Sequence, residues 1–226
     1  MSFIKSHWQF LALTALVFAL WQTPVVVPLK ILIVFLHELS HAIAAWLTGG
    51  SVEQISLSSD QGGFAITHGG SRFAILSAGY LGSLLLGAAL LLLALRSTAD
   101  RAVTALLGAV MLAVTALYIR DLFAAVFCLA TGLALLGMAR FLGHGANDMV
   151  LRVIGLSSLI YVPYDIFDDT IARAGQRSDA YMLAAEFGGP TVLWGGLWLV
   201  ISLGVIALCL RQVLGTQTNI SFHRTP

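Results

Sequence analysis

The sequence predicts a polytopic helical membrane protein, all-α apart from one small hairpin, and three observations carry that prediction. Of 226 residues, 58% are hydrophobic and 10% charged, with mean hydropathy +0.91, whereas a soluble domain carries about 25% charged residues. Apolar runs near the ~20 residues needed to cross a bilayer recur six or seven times. A turn-rich stretch of alternating polarity, residues 51–72, interrupts them. The whole chain, 1–226, reads as a single integral-membrane domain with a hairpin insert at 51–72 and a polar tail at 211–226.

Each element has its own signal. Residues 8–27 form a first span that starts like a signal sequence, with Lys5 ahead of it, but lacks a small-residue cleavage site and so reads as an uncleaved anchor. Pro28, Leu29 and Lys30 interrupt, and residues 31–47 form a second span stopped by Gly49 and Gly50. In the hairpin, Ile55 and Leu57, then Phe64, Ile66 and His68, alternate with polar neighbours around a turn at 58–63. Residues 73–95 are the cleanest span, and Gly79, Gly82, Ser83 and Gly87 in it would let another helix approach closely. Residues 102–119 and 122–139 read as two spans separated by Arg120 and Asp121. A sixth span, 150–167, contains Pro163, and a seventh covers 192–210. Between these two, 168–190 is the longest polar connection, and His144 reads as a loop residue.

Composition also excludes functions. Twelve Lys and Arg are balanced by eleven Asp and Glu, with no basic run, so a nucleic-acid surface has no electrostatic footprint. Cys128 and Cys209 sit in apolar runs and read as small core residues. The positive-inside rule leaves orientation open. With the N-terminus inside, Lys5, Arg72, Arg120, Arg173 and Arg177 face one side, and Lys30, Arg96, Arg101, Arg140, Arg211 and Arg224 the other.

An ionisable group in a span costs on the order of 2.5 to 3.5 kcal/mol on insertion scales and marks a functional site by default. The second span carries three, His37, Glu38 and His41, in the pattern H-E-x-x-H. Histidines at i and i+4 share a helix face, so both imidazoles can reach one zinc ion, with the glutamate set to take a proton from water. A catalytic zinc needs a third protein ligand and an open position. Acidic residues cluster at the end of the sixth span, where Asp165 shares a face with both Asp168 and Asp169, and these three are the candidates for the third ligand. The second and sixth spans run in the same direction, which brings these groups to one side of the bilayer.

An intramembrane H-E-x-x-H with a downstream aspartate resembles the site-2 protease family of intramembrane zinc metalloproteases. The metal helix is followed by Gly49-Gly50-Ser51-Val52 and a hairpin, as in that family. The family's Gly-Pro-x-x-Asn corresponds to Gly79-Tyr80-Leu81-Gly82-Ser83, without the Pro or Asn. Its late Asn-x-x-Pro-x-x-x-x-Asp-Gly corresponds to Pro163 and Asp168, with Ile160 for the Asn and Asp169 for the Gly. The chain lacks room for a PDZ insert and so resembles a compact branch.

The resemblance implies that His37, His41 and one of Asp165 or Asp168 bind Zn2+ and that Glu38 is the general base. It also implies that a membrane-anchored protein substrate is cleaved in or near its span, from a site toward the cytosolic face of the plasma (inner) membrane. Two alternatives belong to other classes: a proteolytically inactive homologue, and a metal-binding transporter or assembly factor. A transporter calls for ionisable groups spread along a pathway and two related halves, and neither is evident.

Overall fold

The computed structural model describes residues 3–173, 175–215 and 217–220. Among them are eight α-helices: α1 Phe3–Leu20, α2 Val27–Leu47, α3 Arg72–Arg96, α4 Asp100–Tyr118, α5 Leu122–Phe141, α6 His144–Phe167, α7 Asp179–Phe187 and α8 Thr191–Leu214. A two-stranded antiparallel sheet, β1 Ser51–Leu57 and β2 Gly63–His68, joins α2 to α3. Seven of the helices, all but α7, are long and apolar enough to span a bilayer. The chain is an integral multi-pass membrane protein.

Several boundaries differ from the sequence expectation for local reasons. The first span starts earlier and ends at Leu20, because Thr23 donates back to the Leu20 carbonyl (2.7 Å) and Pro24 opens a 3-10 turn. Pro28 and Lys30 lie inside α2 rather than interrupting it, since a proline in the first turn removes only an N–H that has no helical partner. Lys30 places its ammonium 4.8 Å from the centre of the Trp21 ring. His144 is the first residue of α6, not a loop residue. The connection at 168–190 is largely helical, with a π-helical turn at Asp168–Ala172 followed by α7. Arg211 is in the last turn of α8, so the expected polar tail starts later; residues 216 and 221–226 of it, Arg224 included, lie outside the described residues.

Residues 102–119 and 122–139 do form two helices. The Asp121 carboxylate accepts from the Ala124 N–H (2.8 Å) and starts α5 afresh. α4 and α5 pair with each other, and Ile119 between them bridges to Ile55 on the outer side of β1. The hairpin packs on α2 through Ile55 and Leu57, both buried, while Phe64 and Ile66 of β2 stay exposed.

α3 is the spine of the bundle, packed against α2, α6, α7 and α8. Glycine makes those approaches possible. A Cβ at Gly87 would lie 2.3 Å from the Ser158 Cβ, and one at Gly155 would lie 2.7 Å from the Gly87 carbonyl oxygen. Ser158 then donates across the interface to the Ser83 carbonyl (2.8 Å). In lipid, where apolar contact alone does not drive helices together, such close backbone packing is what holds a pair.

Gly87→Ala is therefore expected to destabilise the chain by about 1–3 kcal/mol through overpacking. Gly196→Ala, with nothing within 4 Å of the added atom, is expected to leave stability unchanged. Thermal unfolding in detergent compares the two.

Candidate metal centre

The H-E-x-x-H residues occupy the middle of α2, the most deeply buried of the spans. Glu38 and His41 are buried and His37 half-buried. On their open side stands Gly79 of α3, where a Cβ would fall 2.3 Å from His37 Nε2 and 2.6 Å from His41 Nε2. Only a residue without a side chain leaves room there for both imidazoles. Ser83, one turn further along α3, is fully buried and donates back to the Gly79 carbonyl (2.8 Å), so it stays in its own helix.

The carboxylate that meets the two histidines is Asp179. Its Oδ2 lies 3.0 Å from His37 Nε2 and 3.2 Å from His41 Nε2. One ligand atom from each of the three residues falls within 4.8 Å of the others. Asp179 opens α7, which starts because the Ser178 hydroxyl accepts from the Tyr181 N–H (3.2 Å). Ala180 and Leu183, both fully buried, then seat the helix against the bundle. Burial alone would raise the Asp179 pKa. The charge of His41 and hydrogen bonds from both imidazoles outweigh it and hold the carboxyl below the usual carboxylate range.

The expected third ligands lie outside this trio. Asp168 is exposed and pairs with Arg173 (2.6 Å). Asp165 is half-buried and lies beside Tyr161, one turn earlier on α6. The physical reason is that α6 passes into a π-helical turn, closed by Arg173 N–H to the Asp168 carbonyl (2.7 Å), and the chain then folds back so that α7 delivers its first residue to the histidines. The signal in the sequence was Ser178-Asp179 ahead of Ala180 and Leu183, a helix start with an acid in its first turn. It lies outside any span, where no membrane desolvation cost marks an acid as functional.

The donor set fits a divalent metal. His41 donates from Nδ1 to the Ile75 carbonyl (2.7 Å), an acceptor that fixes the proton on that nitrogen. Its Nε2 can then face a carboxylate oxygen only if it carries a second proton or shares a cation with it. Two imidazole nitrogens and one carboxylate oxygen match the three protein ligands of a catalytic zinc site. Next to them Glu38 Oε2 is buried with no hydrogen-bond partner among the described residues. Its other oxygen is against Gly63, where a Cβ would lie 2.7 Å from Oε1.

A family model described as Peptidase M50B-like matches residues 10–209. No curated protein and no solved structure matches the chain significantly.

Asp179→Ala is expected to lower bound zinc from one per chain to a small fraction of that, and Gly79→Ala to do the same by driving a methyl group between the imidazoles. Asp168→Asn is expected to retain the metal. Elemental analysis of the purified variants decides between Asp179 and Asp168 as the ligand.

Proposed function

Because the chain belongs to the Peptidase M50B-like family, whose members are of the site-2 protease type, we propose that it is an intramembrane zinc endopeptidase. It hydrolyses a peptide bond in or near the span of a membrane-anchored protein. The observation that carries this reading is the convergence of His37, His41 and Asp179 beside a Glu38 oxygen that has no partner among the described residues. Two imidazoles and a carboxylate facing one point, beside a glutamate oxygen with no partner among the described residues, have no use in packing, since uncompensated polar groups in lipid are costly.

His37, His41 and Asp179 would hold the zinc. When bound, the metal acidifies a water molecule and polarises a peptide carbonyl. Glu38 is the general base, its Oε2 available to accept a proton and then return it to the leaving amine. The i, i+1, i+4 spacing sets Glu38 beside the two histidines without letting it compete with them as a ligand.

A peptide bond inside a helix is inaccessible, and unwinding it in lipid exposes backbone groups that need new partners. β2 suits that need. β1 engages Ile119 on its outer side, whereas the outer edge of β2 carries no strand among the described residues. Gly63, at the start of β2, touches Glu38, so a substrate segment added along this edge leads to the general base. Exposed Phe64 and Ile66 offer apolar contacts to the side chains of such a segment. The proposed location is the plasma (inner) membrane, with the hairpin and α7 on its cytosolic side.

Glu38→Gln tests the reading. The variant is expected to keep one zinc per chain and to lose cleavage of single-span reporter proteins at least a hundredfold, read by mass spectrometry of the products. Cleavage that persists in this variant, or a parent protein without zinc, overturns it.

A further inference from the structure

The two histidines are oriented by different means. His41 is fixed by its Nδ1 hydrogen bond to the Ile75 carbonyl (2.7 Å). His37 has no such bond at Nδ1 among the described residues; its hydrogen bond is from Nε2 to Asp179. Metal-binding histidines almost always have their second nitrogen held by a partner. His37 is confined by rings instead. Tyr80 meets it edge to face, with centroids 4.7 Å apart at 86°, and His41 meets it at 4.8 Å and 73°.

Tyr80 is itself held on two sides. Its ring packs against Trp198 (5.2 Å). Its hydroxyl donates to Asp169 Oδ2 (2.6 Å), and Asp169 Oδ1 accepts from Arg173 (2.7 Å). Asp169 is in the π-helical turn that precedes α7, so the phenol ties the wall of the His37 pocket to the segment that delivers Asp179. This also gives the acidic run at the end of α6 a task other than ligation.

We propose that Tyr80 is a positioning residue for His37, with Asp169 holding the phenol, so that the pair sets the geometry of the cation site without touching the ion. The proposal rests on the reading of His37, His41 and Asp179 as a metal centre.

The full chain is purified in detergent, stripped, and reloaded with Co2+, whose visible ligand-field bands report coordination geometry. Zinc affinity is measured by chelator competition, and thermal unfolding of the metal-free protein is followed in parallel. Tyr80→Phe removes only the hydroxyl bond, Tyr80→Leu removes the ring, and Tyr118→Phe, at the end of α4, is the control. Tyr80→Phe is expected to shift the Co2+ bands and weaken zinc binding about tenfold at an unchanged melting temperature. Tyr80→Leu is expected to weaken it further, and the control to match the parent. If both Tyr80 variants reproduce the parent's bands and affinity, the inference is overturned and the metal centre stands. A lower melting temperature with unshifted bands makes Tyr80 a packing residue and also overturns it. A parent that takes up neither metal overturns the metal centre and the inference together.

Discussion

A bilayer offers no hydrogen-bond partners, so a polar group carried into a span is costly unless it finds one within the protein. That constraint shapes the molecule at both ends. Near the proposed metal centre it explains why two imidazoles and a carboxylate converge instead of pointing apart, and why Asp179 is delivered by a separate helix to a site that would otherwise hold uncompensated charge. At the other end of α6, Arg152 and Asp148 form a buried ion pair (2.8 Å). The carbonyl of Thr218 accepts from the same guanidinium, and the Thr218 hydroxyl bonds to His7 (3.0 Å). Buried charges here are paired and hydrogen-bonded, as their desolvation cost requires.

The second determinant is space, and α3 controls it. Its glycines fall at successive contacts: Gly79 beneath the two imidazoles, Gly82 against Ser40, Gly87 against Ser158. Side chains at these points would separate α3 from α2 and α6 and leave the two histidines without a wall. Close packing and site construction are therefore one property of the same helix face, with Gly79 making room and the adjacent Tyr80 filling what remains.

The polar connection after α6 links packing to chemistry. A regular helix would carry Asp165, Asp168 and Asp169 onward in one direction. The π-helical turn instead widens the last turn, directs Asp169 to Tyr80 and Asp168 to Arg173, and lets the chain return as α7. Asp179 then reaches His37 across a sequence separation of 142 residues. Local irregularity at a helix end of this kind is a frequent mark of functional sites.

The sequence by itself determined the spans, the hairpin and the H-E-x-x-H pair, because each rests on neighbours within a few residues. Hydropathy over about 20 residues, alternation along a strand and i, i+4 spacing are local properties that survive any arrangement of the helices. It also disclosed the small-residue face of α3, though not its partners. Only the tertiary structure decided that Asp179, and not Asp165 or Asp168, meets the histidines, that Pro28 starts a helix, and that the connection at 168–190 folds into one. Those outcomes depend on where a chain reversal brings residues far apart in sequence. A carboxylate shows no local sign of which imidazole it will face, since the energy that selects it comes from burial shared among three helices.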